Sequence, residues 1–433
     1  MKLDLKKTYL VITLSRAVAV LSNFILVSVL VKELNVQSYG FYALLISMIN
    51  WIYFFDLGIN KGLKNVTTNN FEKNKIQNLQ NILNTTILSS ILFFVFLVIP
   101  IILLGQNILD YLENRTKIDE SQLFKTSVVF LLVAGVKFVG NSINQVALSI
   151  HQSHRVALTT TALSVLTLST VLILVFFFDN NISVFTVFLI ELFSSIITIL
   201  ALLLFVLLKL RVSLNPLRYF KIEIITGVLK DSLLLFLIQL GSLILISSDR
   251  FLVLSLVEGT ENIAKYDLGY KVFGLILMPF SVISRPLWAS FASAKINKDY
   301  AWLKKSLFQL GLYVLVSGII LFILYCWFDS ILYYWIGEIL QIEDTMKAAF
   351  AGLFFFFLLT GVNHDFLMGF GKYWSYLICL IIAVIIKVSY LIVKHTFFET
   401  TTTTIINSTF IGYFTLAVFT TLITTRIVYN KDT

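Results

Sequence analysis

The run LLLFLIQLGSLILISSDRFLVLSLV, residues 233–257, sets Asp249 and Arg250 side by side in an otherwise apolar stretch. Charge in such a setting either pairs with opposite charge or lines a water-filled cavity, because lipid solvates neither group. Six basic residues lie inside apolar runs of this chain: Arg16, Lys137, Arg250, Lys271, Arg285 and Lys387. Each costs roughly 2.5–3.5 kcal/mol at a helix centre, so six of them cannot face hydrocarbon. Embedded acids are fewer: Glu191, Asp249 and Asp267, with Asp56 and Asp365 near helix ends. The surplus of bases predicts a cationic interior, and that chemistry suits an anionic passenger.

Spacing sorts these residues further. Asp267, Lys271, Gly274, Met278, Ser281 and Arg285 follow the 4, 3, 4, 3, 4 pattern of one helix face. On a straight helix Asp267 and Arg285 would stand about 27 Å apart on that face. Pro279 and Pro286 are expected to bend it. Lys137 with Asn141 and Asn144, and Arg16 with Asn23, repeat the idea on two other helices. Asp267 and Lys271 can neutralise one another at i,i+4, and Arg16 and Arg285 can reach toward the membrane surface. Lys137 and Lys387 have no acid within one turn. They are therefore expected to serve the passenger directly, and their removal to relieve a burial cost. His151 and His154 read as solvated loop residues, and His364–Asp365 alone is too little for a metal site. The threonine run at 399–404 reads as low complexity. No glycine-rich phosphate loop, zinc motif, nucleophile elbow or D-x-D is present, so neither an enzyme nor a cofactor is expected.

The elements that must position these groups are membrane helices. The chain has 433 residues, 58% of them apolar and 13% charged, with a mean hydropathy of +0.90. A soluble chain of this size could not clothe that much apolar surface. Cys326 and Cys379 both fall in apolar runs, so no disulfide framework is expected. Twelve runs qualify as spans: 9–30, 40–60, 79–104, 124–148, 156–178, 184–208, 233–257, 263–290, 306–328, 346–368, 374–394 and 404–428. The first is too long for a signal-peptide core and no cleavage signal follows it, so it reads as a retained helix. With the N-terminus inside, twenty Lys and Arg fall in inner segments and seven in outer ones. That asymmetry predicts both termini in the cytoplasm. It also accounts for the net charge of +9, so nucleic acid is not invoked.

Residues 35–45, NVQSYGFYALL, resemble 260–270, TENIAKYDLGY, with Tyr42 laid on Tyr266. Both stretches open the second helix of a six-helix half. The expected organisation is thus a six-helix lobe over 1–208, a basic cytoplasmic linker over 209–232, and a second lobe over 233–433. Two such lobes around a central cavity are a parallel-repeat transporter arrangement.

The stretches LNVQSYGFYALL, DLGINKGLKN (56–65), SSDRFLV (247–253), IAKYDLGY (263–270) and RPLWASFASA (285–294) resemble recurring stretches of the polysaccharide-lipid flippases. These are the Wzx-type O-antigen and capsule translocases of the multidrug/oligosaccharidyl-lipid/polysaccharide (MOP) exporter superfamily. The resemblance implies flipping of an undecaprenyl-pyrophosphate-linked oligosaccharide from the cytoplasmic to the periplasmic leaflet of the inner membrane. It also implies alternating access and coupling to an H+ or Na+ gradient, a role open to Asp249, Asp267 or Glu191. Polysaccharide polymerase and chain-length proteins would be partners. The nearest alternatives are a peptidoglycan lipid-precursor flippase and a multidrug cation antiporter of the same superfamily. The antiporter should carry an acidic cavity, the opposite sign.

Overall fold

The computed structural model describes residues 5–54, 59–116, 118–178, 182–257 and 259–429, which form helices and turns with no strand among them. The chain divides into two compact units, Met1–Phe236 and Leu237–Thr433. The first holds α1 (Leu5–Phe54), α2 (Ile59–Glu72), α3 (Ile76–Leu103), α4 (Gly105–Thr116), α5 (Glu120–Ser149), α6 (Ser153–Phe178), α7 (Val184–Leu210) and α8 (Pro216–Tyr219). Helix α9 (Ile222–Ser242) crosses from the first unit to the second. The second continues with α10 (Asp249–Leu256), α11 (Thr260–Gly274), α12 (Leu277–Ile296), α13 (Tyr300–Cys326), α14 (Phe328–Ile336), α15 (Asp344–Gly369), α16 (Tyr373–Phe397) and α17 (Thr402–Tyr429).

Among the described residues nine helices are long and apolar enough to cross a membrane, and two bent pairs raise the number to eleven. The expected twelve counted α1 as two spans. At about 1.5 Å per residue its 50 residues run to about 75 Å, more than twice a hydrocarbon core. Asn35 breaks it, with φ 62° and ψ 165°. The Asn35 side-chain oxygen accepts the Ser38 backbone N–H at 2.9 Å and so caps the second arm. Large apolar side chains such as Phe96, Leu103, Phe308 and Phe322 stand bare on these helices, as they must where the solvent is lipid.

Two expected spans differ from straight helices. Residues 233–257 are interrupted by a π-helical turn, Leu243–Ser247, and the chain bends by 45° between Leu233–Ser247 and α10. Residues 263–290 break between α11 and α12 with a 54° bend. The cause of the second bend is Pro279, whose ring excludes the carbonyl four residues back, that of Leu275. The chain instead closes tighter i→i−3 bonds there: Leu275 to Val272 and Ile276 to Phe273, both 3.3 Å. The bend expected on the polar face from Asp267 to Arg285 is thus present, and it divides that face into two segments.

The basic stretch 209–232 is more structured than a linker. Arg211, left-handed at φ 55°, ends α7, and Asn215 caps α8. Buried Asn84 on α3 donates to the Ser213 carbonyl at 3.0 Å and accepts from the Asn215 N–H at 2.8 Å. Thr85 accepts the Lys221 N–H at 2.9 Å.

Candidate functional site: a buried charge cluster at a broken helix

A π turn frees backbone carbonyls from the helical ladder, and a buried carbonyl without a partner is costly. In the second unit Lys387, from α16, meets that need. Its ammonium donates to the carbonyls of Leu245 at 2.7 Å and Ile244 at 3.2 Å, and to the Ser248 hydroxyl at 2.9 Å. It also donates to Asp249 Oδ1 at 2.6 Å. Asp249 stands in the first turn of α10, where the helix dipole favours an acid. The two side chains are 1% and 0% exposed. Tyr266 donates its hydroxyl to Asp249 Oδ2 at 2.9 Å, and the Thr409 hydroxyl lies 2.8 Å from both carboxylate oxygens. Every face of this carboxylate is thus occupied, which is what a buried ion pair requires to persist.

One residue further on, the Arg250 guanidinium donates to Asp267 Oδ1 at 2.7 Å and lies over the rings of Tyr266 and Tyr270, at 5.3 and 5.2 Å. Lys271 donates to Asp267 Oδ2 at 2.5 Å, the i,i+4 pair expected from spacing. Asp267 thus answers two bases. Among the described side chains of this cluster, Arg250, Lys271 and Lys387 stand against Asp249 and Asp267, an excess of one positive charge. Cation–π contacts of this kind are worth about 0.5–2 kcal/mol each and hold the guanidinium where full hydration is denied.

The first unit carries a smaller pair. Lys137 on α5 donates to Glu191 Oε1 on α7. The other oxygen, Glu191 Oε2, is buried with no hydrogen-bond partner among the described residues. Arg16 is half-buried on α1.

Lys137 and Lys387 have no acid within one turn, but the expectation that they are unpaired, and that their removal relieves a burial cost, is corrected by this geometry. Their partners lie 54 and 138 residues away in sequence, beyond any one-turn search, and burial of an ammonium required them. Removing either lysine strands a carboxylate rather than relieving a cost. The side chain of Arg285 and the whole of Asp56 lie outside the described residues. Asp365 accepts from the Ser284 hydroxyl and lies 3.2 Å from His364 Nδ1. Sequence reading missed Tyr266, Tyr270, Thr409 and the Ile244 and Leu245 carbonyls. The tyrosines flank Asp267 by one and three residues and could have been found as aromatic neighbours of an embedded charge. Thr409 carried no such signal.

Comparison with known proteins agrees with this architecture. The MatE family model matches residues 12–178. A Yersinia pseudotuberculosis protein named for O-antigen export is 23% identical over 331 residues, 72% of this chain and 71% of that one. An inward-facing multidrug-resistance MATE transporter of the MOP superfamily superposes with a TM-score of 0.78 at 14% identity, over 95% of each chain. A MOP-superfamily transporter from Pyrococcus furiosus, described as having a binding pocket of reversed polarity, matches with a TM-score of 0.63 at 16% identity, over 98% of this chain and 96% of that one. The chain is a multi-pass membrane protein whose residues 12–178 match the MatE family model and whose fold is that of the MOP-superfamily transporters.

Proposed function

We propose that this protein is a flippase for a polyprenyl-pyrophosphate-linked oligosaccharide, moving it across the inner membrane by alternating access. The observation that carries the reading is the sign of the buried cluster: three bases against two acids around the α9–α10 break. A pyrophosphate needs compensating cations to leave water, whereas a cationic drug would be repelled by them. Similarity to the O-antigen export protein points the same way. In this reading Arg250 and Lys271 meet the pyrophosphate and share Asp267 with it. Lys387 and Asp249 hold the broken helix. Lys137 works with Glu191 in the first unit, and Arg16 and Arg285 are further cations proposed to serve the passenger. Asp267 and Glu191 are the carboxylates placed to answer an H+ or Na+ gradient.

The same reading gives twelve spans, with the arms of α1 each crossing the membrane, six on either side of the 209–232 segment and both termini inside. Reporter fusions after residues 70, 215 and 300 would then report cytoplasm, and those after 115 and 340 periplasm.

The multidrug reading is favoured by the structural neighbours and is separated by one genetic experiment. In a strain deleted for this gene, surface glycan is lost and the wild-type gene restores it. Arg250→Gln, expressed at wild-type level, restores less than about a tenth, because one charge-assisted contact to phosphate is worth about 1.5–3 kcal/mol. Unchanged surface glycan in the deletion strain, with raised sensitivity to cationic drugs, would refute the reading.

A further inference from the structure

A cavity of about 450 Å³ opens at one end of the first unit, where α1 breaks and where α5 and α7 begin. Its floor is apolar: Phe41 is buried and Phe185 half-buried beside it. Its rim is polar and mixed. Gln122 and Lys125 come from the first two turns of α5, and Glu33 and Ser38 flank the break at Asn35. Thr126 is 3% exposed and lines the same cavity. Its hydroxyl has no hydrogen-bond partner among the described residues, although threonines elsewhere on these helices commonly bond back to their own carbonyls, as Thr86 and Thr198 do.

Three helix starts facing one cavity would favour an anion, but the local acids offset them. Glu33 lines the cavity, and Asp119 and Glu120 begin α5. The Ser121 hydroxyl bond holds the exposed Asp119 carboxyl below its usual range, so that charge persists. An uncharged ligand with many hydroxyls and an apolar face meets this lining better. Amide, hydroxyl and ammonium groups sit on the rim and aromatic surface on the floor, which is the complement of a pyranose ring.

We propose that this cavity is a sugar-binding subsite, holding one neutral sugar unit at the end of the first unit where α5 and α7 start. It rests on the reading of the protein as a glycan-lipid flippase and adds a glycan contact separate from the charge cluster of the second unit. Thr126 supplies the buried hydroxyl, Gln122 the amide and Phe185 the face for the ring's C–H groups.

The test needs no transport. Saturation-transfer NMR on the purified full chain in detergent would use galactose, N-acetylglucosamine and inorganic phosphate as separate probes. Transfer to at least one of the two sugars is expected. Thr126→Val, which keeps the shape and strands no partner, and Gln122→Ala on the rim should each weaken that sugar about tenfold, the equivalent of one lost hydrogen bond. Neither should change the melting temperature. Arg250→Gln should leave sugar transfer intact, which separates this site from the proposed pyrophosphate contacts. No transfer to either sugar, transfer to phosphate alone, or sugar transfer unaffected by both cavity substitutions would overturn the subsite. Sugar transfer lost in both variants with no glycan-export defect in the deletion strain would uphold the subsite while sinking the flippase reading.

Discussion

Among the described residues of the second unit, Lys387 and Asp249 are the most deeply buried opposite charges, and their energetics differ from those of a surface pair. Two ions withdrawn from water are stable only while each answers the other and the remaining lone pairs are filled. Either single loss, Lys387→Met or Asp249→Asn, is expected to destabilise the protein by about 3–5 kcal/mol. The double variant should lose clearly less than the sum, since no unpaired charge remains. It should not return fully to wild type, because the Ile244 and Leu245 carbonyls lose their donor. Melting of the three variants in one detergent checks this. Additive losses would mean that the two charges do not act as a pair.

At the scale of elements, breaks matter more than lengths. The π turn at Leu243–Ser247 supplies the carbonyls that hold Lys387, and the bend after Gly274 starts α12 in a new direction. The break of α1 at Asn35 takes a backbone conformation that is essentially reserved for glycine. Asparagine tolerates it while its side chain caps Ser38. Asn35→Ala keeps the strain and loses the cap, whereas Asn35→Gly relieves the strain and costs little as a cap. The alanine variant is therefore expected to be less stable than the glycine variant by about 1–2 kcal/mol. Equal melting temperatures would mean that the break carries no strain. Apolar length made the spans legible in the sequence, and Pro279 marked one bend. The π turn was illegible because LILIS carries no proline or glycine and is held by a lysine 142 residues away from Leu245. The i,i+4 spacing disclosed Asp267 with Lys271, while Arg250 with Asp267 needed two helices to fold together. The sugar-sized cavity was hidden for the same reason, since its lining comes from three separated stretches of chain.

At the scale of the whole molecule, a chain with 58% apolar residues must keep its charges for a purpose or for pairing. The structure divides them between the two. Lys387 with Asp249 and Lys137 with Glu191 pair across helices, and the group around Asp267 retains a positive excess. In the proposed reading that excess, counted among the described residues, is what meets the passenger, and translocation tests it directly. The purified protein in liposomes would be given a polyprenyl-pyrophosphate-linked glycan, and exposure of the glycan to a membrane-impermeant glycosidase followed over time. The glycan initially shielded in the inner leaflet should become cleavable with wild type and stay shielded with Arg250→Gln at equal protein density. A shielded fraction that wild type leaves unchanged, in liposomes where it moves a cationic dye, would contradict the account.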